Sequence, residues 1–231
     1  FSATNSTNNR ELWSVNSGSA IVNSIADINP IGSSNPNQLI NTNGRLFFSA
    51  NESTKGEEIW SVNSGSGIAS RVSDANPDTG SSFPDFLTNV DGRLFFRAYA
   101  NTNGRELWSV NSGSAVAALI TGIDQSGGDG TGPESLTNVG GRLFFSESIP
   151  ATGRELWSVG SGSATATPLS EINPSGSSIR GYLTNVNGRL FLSAFDPTAG
   201  AELWSVSSGS AFANRVTDIN PSKGSSKARY L

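Results

Sequence analysis

Short apolar runs separated by polar turn residues recur along this chain at a nearly constant interval. The clearest runs are Leu46-Phe47-Phe48, Leu94-Phe95-Phe96, Leu143-Phe144-Phe145 and Leu190-Phe191-Leu192. Three consecutive apolar residues mean that both faces of a strand are covered, since a strand with one wet face would alternate. Each run follows a dipeptide suited to a two-residue hairpin: Asn43-Gly44, Asp91-Gly92, Gly140-Gly141 or Asn187-Gly188. Ahead of the turn lies another short strand, such as Phe86 to Val90. Beyond the run comes a third strand built on Glu-Leu-Trp-Ser-Val. A fourth passes through Val72, Ile120 and Val216 into a loop rich in Pro and Gly.

The tryptophans measure the period. Trp13, Trp60, Trp108, Trp157 and Trp204 stand 47, 48, 49 and 47 residues apart. From the Leu that opens each unit to its Trp (39 to 60, 87 to 108, 136 to 157, 183 to 204) the distance is always 21, so all length variation falls after the Trp. A four-stranded meander of this length, repeated and buried on both faces, predicts an all-β chain: a five-bladed β-propeller of four-stranded antiparallel blades, with residues 1–231 as a single domain of five repeats. No atypical capping repeat suggests an open solenoid. Leu231 matches the start of another unit, and the constant spacing leaves 8 residues between it and Phe1. The ring is therefore expected to close by pairing N- and C-terminal strands in one composite blade, its innermost strand being Ala228 to Leu231.

Composition narrows the chemistry. The chain has no Cys, His or Met, which removes thiol nucleophiles, imidazole bases and the N/S ligands of a zinc site. Neither a cofactor nor a catalytic group is expected. With 15 basic and 19 acidic residues and no basic cluster, nucleic acid is disfavoured, and no apolar run approaches the length of a membrane-spanning helix. The 39 Ser and 23 Asn, with 26 Gly, supply turns and neutral hydrogen-bonding groups.

Three sets of repeated residues are candidates for function. The Trp residues could stack on a ligand, but their apolar context favours packing between blades. Glu11, Glu58, Glu106, Glu155 and Glu202 are expected to pair across strands with Arg45, Arg93, Arg142 and Arg189, or to accept the indole N–H. The loops after the fourth strands carry Asp27 and Asn29, Asp74 and Asn76, Glu171 and Asn173, Asp218 and Asn220, with Asp124 at the Asn position of the third unit, where Gly122 replaces the acid. Alternate oxygens of this kind could ligate calcium or a polar ligand. Asx turns that satisfy the loop backbone explain them equally, and no metal site is expected. Loops following second and fourth strands share one end of the blades and vary in sequence, which suits binding.

The strings Gly-Arg-Glu-Leu-Trp, Asp-Ile-Asn-Pro-x-Gly-Ser-Ser and Leu-Thr-Asn-Val-Asn-Gly-Arg-Leu-Phe-Phe resemble the bacterial ELWxxDGT-type repeats of large exported proteins. Glu-Leu-Trp carries over at 11–13, 106–108, 155–157 and 202–204, whereas Ser17-Gly18-Ser19 and Ser64-Gly65-Ser66 stand where that family has Asp-Gly-Thr. The resemblance implies a secreted or cell-surface propeller module. The repeat length and five-fold count are also similar to five-bladed lectins of the tachylectin-2 type.

Two functions follow. Five near-equal blades can present weak sites that gain by avidity, which points to a non-catalytic, lectin-like, carbohydrate-binding module with glycans or cell-surface carbohydrate as partners. The alternative is a structural or adhesive repeat domain of a larger exported protein with no small ligand. A third reading, a glycoside hydrolase, would need the acidic pair Asp85 and Glu134, two residues before the repeated Leu. The sequons at Asn5 and Asn51 matter only in a eukaryotic secretory setting.

Overall fold

The computed structural model describes residues 1–231 apart from 17, 78–79, 101–103, 124–131, 170, 218, 222–223, 227 and 229–231, and apart from the side chain of Ala26. The described residues form strands and turns without helix, in five antiparallel sheets. Sheet I contains β1 (Ser2–Thr4), β2 (Arg10–Val15) and β3 (Val22–Ala26). Sheet II runs β4 (Asn37–Thr42), β5 (Arg45–Glu52), β6 (Gly56–Asn63) and β7 (Ser70–Arg71). Sheet III runs β8 (Asp85–Val90), β9 (Arg93–Ala100), β10 (Gly104–Val110) and β11 (Ala118–Leu119). Sheet IV comprises β12 (Glu134–Val139), β13 (Arg142–Ile149), β14 (Gly153–Gly160) and β15 (Thr167–Pro168). Sheet V comprises β16 (Ile179–Val186), β17 (Arg189–Asp196), β18 (Gly200–Ser207) and β19 (Asn214–Arg215).

Each sheet is a meander in chain order, the blade of a five-bladed β-propeller. Of the strand expected to complete the composite blade, Ala228 to Leu231, residues 229–231 lie outside the described residues. The chain divides into two compact units, 1–118 and 119–231.

Local chemistry explains the meander. The hairpin turns carry positive φ at both central residues, 50° and 78° at Asn43-Gly44 and 49° and 78° at Asn187-Gly188, so the loop twists with its strands. In the second strands Phe47, Phe48, Phe95, Phe96, Phe144 and Phe145 are fully buried, one of each pair facing either side of its sheet. In the first unit Phe48, Val62 and Trp60 pack with Leu12 of sheet I and Ile28 of the loop that follows it. Phe47, Ile59 and Val72 pack with Leu94, Phe96 and Trp108 of sheet III. In the second unit Phe144 and Leu156 meet Leu190, Leu192 and Trp204. The fourth strands are only two residues long, although the pairing continues in single bonds such as Val72 N to Ile59 O at 2.8 Å.

Candidate functional site

The repeated polar residues are spent inside the scaffold. Glu58 is fully buried and accepts four hydrogen bonds: from the hydroxyls of Ser73 and Ser82 at 2.9 and 2.8 Å, and from the amides of Ser82 and Ala75 at 3.0 and 3.4 Å. Glu11 takes the amide and hydroxyl of Ser34 in the same way, Glu155 those of Ser178, and Glu202 the amides of Ser226 and Ile219. Burial pushes the Glu58 carboxyl up to about 7, against the lowering effect of its hydrogen bonds, and burial likewise pushes Glu155 to about 7.

At Glu11, Glu58, Glu155 and Glu202 the expected Glu–Arg and Glu–indole pairs are therefore replaced by Glu–Ser pairs. Register gives the reason. Glu58 stands opposite Ala50 while Arg45 stands opposite Asn63, so five positions of β5, about 17 Å of backbone, separate Arg45 from the residue that faces Glu58. Arg45 instead lies 4.6 Å over the Phe47 ring and bonds Ser61 Oγ at 2.7 Å. The indole nitrogens of Trp60, Trp108, Trp157 and Trp204 are buried and find no partner among the described residues, whereas Trp13 Nε1 donates to Ala3 O at 3.2 Å.

The loop residues hold their own loops. Asn29, Asn76, Asn173 and Asn220 each donate the side-chain amide to a carbonyl four or five residues on, that of Ser33, Ser81, Ser177 and Ser225. Asp27 and Glu171 are exposed, and Asp74 pairs with Arg71 at 2.9 Å. Asp124 and Asp218 lie outside the described residues. No cluster of three acidic groups able to hold a metal occurs among the described residues.

A more open arrangement sits where each first strand begins. The register slips between Asn37 and Ile40, Asp85 and Thr88, Glu134 and Thr137, and Ile179 and Leu183, so a bulge stands at this place in sheets II to V. Gln38, Phe86 and Ser135 take left-handed φ there, 52°, 54° and 58°, which turns their side chains out of the strand pattern. Sheet V has the larger slip, and its Tyr182 is 79% exposed.

In the second unit this rim encloses a cleft of about 530 Å³ between β12 and β16, lined by Glu134, Ser135, Arg154, Arg180, Gly181 and Tyr182 among others. Glu134 accepts Arg154 Nη1 at 2.6 Å, and Arg180 lies 4.8 Å over the Phe195 ring. In the first unit the equivalent place holds Phe86, 41% exposed, under the Arg97 guanidinium at 4.6 Å. Asp85 grips Arg97 through two bonds, 2.7 and 2.5 Å. Asp85 and Glu134 are each committed to an arginine. The rim aromatics escaped the sequence reading, which stopped one residue earlier at Asp85 and Glu134. The available signal was variation at the residue before the repeated Leu: Gln38, Phe86, Ser135, Tyr182, Tyr230.

No family model and no curated protein matches the chain. Solved structures do. The chain is similar to a mutant puromycin hydrolase bound to PGG, with TM-score 0.53 and 12% identity, over 87% of this chain and 31% of that one. It also matches the BP39L lectin from Burkholderia pseudomallei (TM-score 0.41, 12% identity, 95% and 66% of the two chains) and TolB from Acinetobacter baumannii (0.43, 12%, 89% and 48%). The chain thus spans about a third of the hydrolase and about half of TolB. At such identity the likeness concerns the fold alone.

Proposed function

We propose that the chain is a non-catalytic, carbohydrate-binding propeller module, working as one set of five repeats at a cell surface or outside the cell. The observation that carries this is Tyr182, an aromatic face exposed at a cleft whose wall holds the Glu134–Arg154 pair and Ser135. A sugar ring offers apolar C–H groups to an aromatic face and hydroxyls to a donor and acceptor side by side, so the two halves of the cleft suit the two halves of a saccharide. Phe86 beside Asp85 and Arg97 supplies a second, unlike version, and multivalency arises from unequal sites rather than five equal ones. A catalytic role has little to work with. The carboxylates raised to about 7, Glu58 and Glu155, are buried beneath serine hydroxyls, and Asp85 and Glu134 are ion-paired.

Binding to a glycan array, followed by calorimetry on any hit, tests the reading. Tyr182→Ala is expected to lower affinity by roughly tenfold or more while leaving the melting temperature unchanged. Silence across the array would favour the alternative, a scaffold of the ELWxxDGT kind in an exported protein with no small ligand. The internal use of Glu11, Glu58, Glu155 and Glu202, and of Asn29, Asn76, Asn173 and Asn220, favours that second reading.

A further inference from the structure

Arg180 stands apart from the other arginines. It is exposed, its guanidinium lies 4.8 Å over the Phe195 ring, and among the described residues it has no hydrogen bond and no ion pair. Elsewhere the guanidiniums are engaged, Arg142 and Arg189 by serine hydroxyls, Arg71 by Asp74, Arg97 and Arg105 by Asp85. Stacking on a phenyl ring uses the flat face of a guanidinium and leaves its N–H edge open. Phe195 therefore holds a charged fork in place without consuming its donors.

The sequence marks the same place. Counted from the repeated Leu, Arg180 occupies the position of Pro36, Pro84 and Pro133, and Gly181 that of Asn37, Asp85 and Glu134. Compared with sheets III and IV, the rim of sheet V has exchanged an acid for glycine and a proline for a cation. Among the described residues the cleft beside it holds one acid, Glu134, which Arg154 neutralises at 2.6 Å. Arg180 is thus an uncompensated positive charge at this cleft, in a chain whose net charge is -4. Tyr182, two residues on, lines the same cleft, and Gly181 between them carries no side chain to cover it.

We propose that the saccharide taken at this cleft is an acidic one, a uronic or sialic acid residue with its ring on Tyr182 and its carboxylate on the N–H edge of Arg180. The inference rests on the carbohydrate reading above and adds the charge of the sugar to it. A guanidinium–carboxylate pair is charge-assisted and planar, so it selects both for the anion and for its orientation relative to the ring. Glu134 repels a second anion on the opposite wall, which steers the carboxylate toward Arg180.

The probes are matched pairs of oligosaccharides, each uronate- or sialate-bearing member beside its carboxyl-reduced neutral counterpart, screened on an array and then titrated by calorimetry into the intact chain. The acidic member is expected to bind roughly tenfold more tightly, as a charge-assisted hydrogen-bonded pair contributes. Added salt narrows the gap. Arg180→Gln is expected to bring the acidic member down to the neutral one without moving the melting temperature, since the side chain is exposed. Tyr182→Ala weakens both members. Equal affinity for the two members, or a gap that survives Arg180→Gln, would overturn this inference and leave the carbohydrate reading in place. Binding to neither member of any pair would overturn both.

Discussion

Ser82 places both its amide and its hydroxyl on the carboxylate of Glu58, twenty-four residues earlier, while its carbonyl accepts the amide of Tyr99 in the next sheet at 2.7 Å. One buried serine thus ties the third strand of one blade to the second strand of the next. Ser82→Ala is expected to cost about 1–3 kcal/mol, and Glu58→Ala more, because it takes the carboxylate from the Ser73 hydroxyl and the Ala75 amide and leaves the Ser82 hydroxyl and amide only the Glu57 carbonyl. In urea titrations the double variant should fall well short of the sum of the two, as expected of residues that share one network.

The same carboxylate makes stability depend on pH in an unusual direction. Unfolded Glu58 ionises near 4.5, and the folded group near 7. Between these values the folded chain keeps a proton that the unfolded chain releases. The stabilisation is complete below 4.5 and disappears as pH rises through 7. Glu155 behaves alike. Glu58 contributes on the order of 3 kcal/mol across that window, and Glu155, closer to solvent, a smaller part. The urea midpoint should therefore rise from pH 8 to pH 5, and Glu58→Gln should remove more than half of the rise.

Gly56 opens β6 at φ 73°, and a Cβ there would stand 2.8 Å from the Ser81 amide nitrogen. Gly153 meets Ser177 in the same way, at 2.7 Å. Gly56→Ala combines a disfavoured backbone with a backbone clash and is expected to cost about 2 kcal/mol or more. Gly18 has a similar φ of 77° and nothing within 4 Å, so Gly18→Ala should cost only the φ term, about 1–2 kcal/mol. Thermal melts of the two variants isolate the contribution of the loop contact.

Arg45→Lys keeps the charge but cannot lie flat on Phe47 while donating to both Ser61 and Ser114. A loss of about 1–2 kcal/mol is expected, close to that of Arg45→Gln, which measures geometry rather than charge.

The architecture was legible because its signals are local and repeated. Turn dipeptides such as Asn43-Gly44 and apolar triplets such as Leu46-Phe47-Phe48 specify hairpins with two covered faces without reference to anything distant. The purpose of the glutamates was not legible in that way, since Arg45 looks like a natural partner until the register sets it five positions from the residue opposite Glu58. A signal did exist in the separation of Glu from the second Ser of each loop, 23 or 24 residues at Glu11, Glu58, Glu155 and Glu202. The rim was harder. Phe86 and Tyr182 read as ordinary strand residues, and a bulge with left-handed φ leaves no mark in hydrophobic alternation.

Both ends of the Glu–Ser tie lie within a single period of the chain. Copying one unit in tandem therefore copies the joint as well as the blade: each duplicate arrives with the carboxylate that fixes its exit and the serine that receives its successor. An array of this kind can lengthen by gene duplication without inventing a new contact, leaving the rim residues free to diverge.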